Sequence, residues 1–174
     1  MSEDIQFLRD LQEELKTQEN DGQAAPRFWA IMDYKYIPTD SDYADRTSIL
    51  DTDDPSGVIS IDEYMKSIMS GDYSDEFTDE QKDDLQDVVD GFGLYDLEEW
   101  IGENDDSKMV VYEKEESFIA WNTLFFTKQE AEDHLKANAH HYTSKAHTFA
   151  MTAWRAPKME RLMEILESFD WDSI

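Results

Sequence analysis

A surplus of carboxylates is the feature that most constrains how this chain can fold. Its 174 residues contain 42 Asp and Glu but 15 Lys and Arg, which gives a net charge of −27. Such an imbalance opposes a compact state through self-repulsion, and a buried unpaired carboxylate is costlier still. The chain nevertheless has 40% hydrophobic and 13% aromatic residues, whereas acidic disordered segments have few aromatics. We therefore predict a single folded domain, residues 1–174, with a hydrophobic core and an acidic exterior.

The negative charge is concentrated in the first two thirds of the chain. Residues 1–120 contain 34 acids and nine bases, whereas residues 121–174 are nearly neutral, with eight acids and six bases. Residues 72–106 contain fifteen acids and one base, Lys82. Helical spacing places most acids of residues 74–91 on one side of a helix, opposite an apolar stripe. The predicted acidic face consists of Asp75, Glu76, Asp79, Glu80, Asp83, Asp84, Asp87 and Asp90.

Charge and composition also restrict the partners and the compartment. So acidic a surface repels nucleic-acid phosphates and anionic membranes and attracts a basic protein surface. The chain has no cysteine, which excludes disulfides and thiolate catalysis and favours a reducing cytoplasm. We expect no membrane span, because no apolar run approaches the necessary length of roughly 18 residues. We also expect no signal peptide, because the first fifteen residues are acidic and amphipathic.

Local patterns predict an α+β fold. Helical periodicity, caps and glycine stops predict helices at about residues 2–15 (with Ser2 as the cap), 61–71, 74–91, 94–104, 128–142 (with Thr127 as the cap) and 157–169. The predicted buried stripe of the last helix consists of Leu162, Met163, Leu166 and Phe169. Alternating or β-rich segments predict strands at about residues 27–37, 108–116 and 145–154, with a fourth candidate at 117–126. We expect a small mixed or antiparallel sheet of three to four strands with helices packed on it, and a helical, acidic N-terminal two thirds.

Residues 52–63, TDDPSGVISIDE, match the ligand spacing of an EF-hand loop at several positions. The candidate calcium ligands are Asp54, Ser56, Ser60 and Glu63. Thr52 occupies the first position, where a calcium loop has aspartate, and no second loop accompanies this one. The alternative is a turn followed by a capping box, in which Ser60 and Glu63 open a helix without any cation.

Three histidines form a second metal candidate. His134 and His141 lie on one face of the predicted helix at 128–142, and His147 lies on the strand that follows. Imidazoles with a nearby carboxylate could hold zinc or another transition metal and support a metal-dependent enzyme. The alternative is structural, since histidines near a helix C-terminus interact with its last carbonyl groups.

Trp154 and Arg155 are candidates for a recognition surface, because both residue types are common in binding hot spots. The alternative is a strand-to-helix corner. In that arrangement Trp154 lies in the core, Arg155 pairs with an acid such as Glu160, and Pro157 begins the last helix.

Residues 125–166 resemble a group of uncharacterised small acidic proteins of phages, prophages and mobile elements. The resemblance is carried by Thr127, His134, Asn138, His140, His141, Tyr142, Ala153, Trp154, Arg155 and Pro157. It implies a genomic setting, and hence the cytoplasm of a bacterial host. In charge and size alone the chain is similar to DNA mimics that occupy restriction or CRISPR enzymes.

These observations favour a non-enzymatic interaction protein that inhibits a nucleic-acid-binding or defence enzyme of the host. Its expected partner is a basic protein surface, and no cofactor is expected. A metal-dependent enzyme and a calcium-binding protein are the alternatives. The oligomeric state stays open.

Overall fold

The computed structural model describes residues 3–19, 25–54, 56–71, 73–91 and 94–173. The five strands in these residues are β1 (Arg27–Pro38), β2 (Arg46–Asp51), β3 (Val58–Ser60), β4 (Lys108–Ile119) and β5 (His147–Thr152). The α-helices are α1 (Glu3–Thr17), α2 (Ile61–Ser70), α3 (Asp79–Asp90), α4 (Leu94–Asn104), α5 (Lys128–Ala137) and α6 (Pro157–Ser168). The strands form one antiparallel sheet in the order β3-β2-β4-β1-β5, so the α+β prediction is confirmed.

The prediction of three to four strands was too low, because β2 and β3 were missed. They form an antiparallel hairpin in which Ser48 pairs with Ser60 and Leu50 with Val58. β3 has three residues inside the segment that matched a calcium loop, too few for a recognisable alternation. The apolar run at 117–126 is not a separate strand, because β4 continues to Ile119 and a 3₁₀ turn follows.

The chain forms two compact units. One consists of Tyr36–Glu116 and is called the acidic unit below; the other combines Met1–Lys35 with Ser117–Ile174 and is called the terminal unit. The acidic unit packs α2, α3 and α4 around one hydrophobic cluster. That cluster consists of Ile49, Tyr64, Ile68, Leu85, Leu97, Trp100, Ile101 and Val110.

Helix caps explain where two helices of the acidic unit begin. Ser60 and Glu63 form the predicted capping box of α2, with the Ser60 amide 3.0 Å from the Glu63 carboxylate. Thr78 and Gln81 form a second capping box at the start of α3. Each box satisfies backbone amides that have no partner within the helix.

The terminal unit is built on the pairing of β1 with β5, in which Trp29 lies opposite Ala150 and Ile31 opposite Thr148. Trp29 and Ile31 are buried with Ala131 of α5 in a second hydrophobic cluster. Thr127 caps α5 as predicted, and Pro157 occupies the first turn of α6. The predicted buried stripe of α6 is only partly correct. Met163 is buried, but Leu162 and Phe169 are exposed. The predicted cap Ser2 lies outside the described residues.

Candidate interaction surface

The predicted acidic face lies on α3 and on the 3₁₀ turn Ser74–Glu76 that precedes it. All eight of its acids are exposed, whereas Leu85 of the same helix is fully buried. At about 100° per residue, the six acids of α3 occupy an arc of about 140° on the side opposite Leu85. The helix is therefore divided into an apolar side that packs in the core and a carboxylate side that faces solvent.

The residues of the acidic face have no cationic partner in the part of the chain that the structure describes. Among the described residues, none of its carboxylates forms an ion pair, and Lys82 pairs with no acid. Ion pairs described in the acidic unit join Arg46 to Glu113 and Lys108 to Asp51, and neither involves this face. Within the described residues, only solvent ions are available to screen the negative charge of this face.

The charge density of α3 is comparable to that of a nucleic-acid strand. Its six carboxylates extend over about 17 Å of helix axis, or one charge per roughly 3 Å. One strand of B-DNA carries one charge per about 3.4 Å of axis, and the two strands together carry one per about 1.7 Å. α3 therefore matches a single phosphate strand in linear density.

Helix α4 extends the acidic surface beyond the residues predicted from the sequence. α4 contacts α3, and Gln81 of α3 donates a 2.9 Å hydrogen bond to Asn104 of α4. The exposed acids of α4 are Asp96, Glu98, Glu99 and Glu103. These acids belong to the same run of fifteen acids at residues 72–106, but only packing places their helix beside α3.

The acidic unit as a whole holds most of the chain's net charge. It contains 26 Asp and Glu against five Lys and Arg, a net of −21, and the terminal unit has 16 against ten, a net of −6. The charge asymmetry therefore follows the division into compact units.

The candidate calcium ligands lie in the turn between β2 and β3 and at the start of α2. Asp54 accepts hydrogen bonds from the amide and the hydroxyl of Ser56, at 3.0 and 2.6 Å. The Glu63 carboxylate accepts from the amide and hydroxyl of Ser60, and these bonds lower the pKa of Glu63. The segment is a strand–turn–strand followed by a helix, not a helix–loop–helix. Its polar atoms bond to one another in this arrangement.

The candidate histidines have separate partners. His134 Nε2 lies 2.9 Å from the hydroxyl of Tyr142, and its ring packs 5.1 Å from Phe125 between centroids. His147 Nδ1 lies 3.1 Å from the Lys145 carbonyl, and the ring of His141 packs on His140. In the described part of the chain, no group of three or more His, Asp and Glu side chains is arranged to hold a metal ion. The metal hypothesis stays a prediction, and no group of described ligands supports it.

In the alternative of a strand-to-helix corner, the prediction that Trp154 lies in the core was wrong. Its side chain is 75% exposed, and the guanidinium of Arg155 lies 4.4 Å from the centre of its ring. Arg155 has a left-handed backbone with φ of 57° and, among the described residues, pairs with no acid, Glu160 included. The two residues form an exposed stacked pair, as a recognition surface would require.

Comparison with protein-family models, with curated proteins and with solved structures found no match for this chain. Within the described ranges, no helix has the length and apolar character needed to cross a bilayer.

Proposed function

We propose that this protein is a non-enzymatic interaction protein whose acidic unit binds the basic, nucleic-acid-binding surface of another protein. The single observation that supports this most is the unpaired acidic face. Its eight exposed carboxylates have no ion-pair partner in the described chain, and their density along α3 matches that of a phosphate strand.

The net charge of the chain is larger than solubility requires. A small domain stays soluble with a net charge of roughly 2–8 in magnitude, so −27 is several times what solubility requires. The surplus costs stability through self-repulsion. A cationic partner would relieve that repulsion on binding and would be steered to the face from a distance.

The proposed partner is an enzyme that normally binds DNA or RNA, of the restriction or CRISPR type, in the cytoplasm of a bacterial host. In this proposal the protein is a DNA mimic of phage or mobile-element origin and competes with the nucleic acid for the cleft. The expected resemblance of residues 125–166 to phage and prophage proteins supports this setting, and the charge distribution supports this mode of binding.

The test compares two variants with the same net charge. The first reverses three residues of the acidic face, Asp83→Lys, Asp84→Lys and Asp87→Lys. The control reverses three exposed acids of the terminal unit, Glu13→Lys, Glu160→Lys and Glu167→Lys. Wild type and both variants are used as baits in bacterial lysate at low salt, and bound proteins are eluted with a salt gradient.

We expect wild type and the control to retain the same protein and to release it as salt rises, while the first variant fails to retain it. The purified partner should bind labelled duplex DNA, and wild-type protein should displace that DNA. Binding that ignores ionic strength would exclude the proposal. If both triple variants weaken binding equally, then net charge alone, and not the acidic face, determines the binding.

A further inference from the structure

Among the described strands, β5 is the last of the sheet and pairs on one side only. It pairs with β1 along residues 27–32, and among the described residues no strand lies along its other side. Its sequence, HTFAMT, contains β-branched and aromatic residues and neither proline nor an acid. Edge strands of monomers are commonly protected by prolines, bulges, charges or very short length, and β5 shows none of these within its six residues.

The opposite edge of the sheet provides an internal comparison. β3 has three residues, and the amide of Ser60 at its end is already held by Glu63. Acids flank it on both sides, at Asp53, Asp54 and Asp62. β3 is therefore short, capped and charged, as expected for an edge that must not pair. β5 is twice as long and contains no acid, although Lys145 and Arg155 flank it.

Acids are missing from the sequence on either side of β5. Residues 134–159 contain none, although 42 acids in 174 residues would place about six in a stretch of 26. The same stretch contains Lys136, Lys145, Arg155 and Lys158. When two identical chains pair through the same surface, like charges on that surface face each other and oppose the pairing.

The side chains of β5 suit antiparallel pairing with a second β5. His147, Phe149 and Met151 point to one face and Thr148, Ala150 and Thr152 to the other. If Ala150 lies on a two-fold axis, Thr148 of one copy faces Thr152 of the other and Phe149 faces Met151. Threonine pairs and sulfur–aromatic pairs are both favourable across strands.

We infer that β5 is a self-association edge, through which two copies of this chain pair in antiparallel fashion and join their sheets. The occupant is a second copy because an identical strand brings matching faces, and because no acid opposes its approach along residues 134–159. Phe149, which is 43% exposed in the single chain, would be covered in the pair.

Salt affects this association in the opposite sense to the proposed partner binding. Two chains of −27 repel each other, and added salt screens that repulsion, with a Debye length of about 10 Å at 0.1 M and about 3 Å at 1 M. Self-association should therefore strengthen as salt rises, whereas capture of a basic partner should weaken. The two hypotheses can fail independently of each other.

The test is sedimentation equilibrium of the full chain over a range of concentrations, in 0.05 M and 0.5 M NaCl. We expect a monomer–dimer equilibrium in which the dimer fraction rises with both concentration and salt. Phe149→Lys should raise the dissociation constant at least about tenfold, because the charge enters a two-fold interface twice. Leu124→Lys is the matched control, since Leu124 is 61% exposed in the same unit but lies outside β5.

Hydrogen exchange gives a second measurement that needs no variant. In 0.5 M NaCl, amides of β5 should exchange more slowly at high than at low protein concentration, and amides of β3 should not. A monomer at every concentration in 0.5 M NaCl would overturn the inference. Equal dimerisation of Phe149→Lys and Leu124→Lys, or concentration-dependent protection confined to segments other than β5, would overturn it as well.

Discussion

Thr143 holds the buried carboxylate of Asp33 with both of its donors. Its hydroxyl lies 2.5 Å from Oδ1 and its amide 3.1 Å from Oδ2, and the amide of Tyr34 adds a third bond at 2.8 Å. Asp33 is on β1, and Thr143 begins the short turn that leads into β5. The bonds therefore tie that turn to the strand with which β5 pairs.

We predict that Asp33→Asn lowers the free energy of unfolding by about 1–3 kcal/mol at pH 7, because an amide cannot accept all three bonds. Burial alone would raise the pKa of Asp33, but the bonds from Thr143 and Tyr34, together with nearby His147, place it below its ordinary value. Its folded pKa is thus lower than its unfolded pKa of about 3.9. The stabilisation is present above that value and is lost as pH falls through the folded pKa.

Urea denaturation of wild type and Asp33→Asn across pH 2–7 measures this contribution. The difference between the two proteins should be constant near neutrality and should shrink below about pH 4. Thr143→Ser, which keeps the hydroxyl, should retain most of the wild-type stability. A difference that grows toward acid pH would show that Asp33 is not held as a carboxylate.

Tyr64 supplies the corresponding prediction for the acidic unit. Its hydroxyl donates a 2.9 Å hydrogen bond to Asp105, and its ring lies in the core with 1% exposure. Burial, and then the charge and bond of Asp105, raise the pKa of Tyr64. Because the folded pKa exceeds the unfolded value of about 10, this stabilisation is present below that pH and is lost as pH rises above it.

We expect Tyr64→Phe to lower the free energy of unfolding by about 0.5–1.5 kcal/mol at pH 7. Above about pH 10 the wild type should lose this advantage and then become the less stable of the two, because its phenol ionises in the unfolded chain before it does in the folded one. Tyr73→Phe is the control. Tyr73 is 45% exposed, and its change should stay within about 0.5 kcal/mol. Equal losses in the two variants would contradict a specific role for the bond to Asp105.

The unpaired acidic face predicts how stability responds to salt. Screening of self-repulsion should raise the melting temperature of the wild type by about 2–8 °C between 0.01 and 0.5 M NaCl. The triple reversal of Asp83, Asp84 and Asp87 should melt higher at low salt and respond less. A melting temperature that is independent of salt would show that the carboxylates repel one another too weakly to affect folding.

Calcium offers a related test at the turn between β2 and β3. Since Glu63 already accepts two bonds from Ser60, we expect calcium and magnesium at equal ionic strength to raise the melting temperature equally. Glu63→Gln should leave the calcium response unchanged. A larger response to calcium that disappears in Glu63→Gln would establish the calcium hypothesis instead.

Local signals account for the parts of the fold that the sequence predicted well. The box of Ser60 and Glu63, the Thr127 cap and Pro157 act within one turn, so their residue types are sufficient to place helix starts. The β2–β3 hairpin depends on pairs such as Ser48 with Ser60, which no local pattern reveals. The exposure of Trp154 likewise depends on the backbone of the corner after β5. Helical spacing predicts the acidic face, but whether its carboxylates meet a lysine or arginine of the described residues depends on tertiary packing.

Among the described residues, a left-handed backbone occurs at the exposed residues Trp121, Asn122 and Arg155, and the first and last of these lead to the last prediction. Trp121 and Arg155 have φ of 54° and 57°, a conformation that costs a non-glycine residue roughly 1–2 kcal/mol. Glycine relieves that strain, but its greater conformational entropy stabilises the unfolded chain by about 0.4–1 kcal/mol. Trp121→Gly should therefore raise the free energy of unfolding by about 0.5–1 kcal/mol, since its side chain is 74% exposed.

Arg155→Gly should be nearly neutral, because it also removes the stacking on Trp154, which is worth about 0.5–1 kcal/mol at an exposed site. Urea denaturation of wild type and both variants measures these changes in the free energy of unfolding. If Trp121→Gly is destabilising, the indole makes contacts that its exposure conceals. If both variants are stabilising, the stack on Trp154 contributes nothing to folding. Retention of two strained, exposed residues would then require a role in binding rather than in stability.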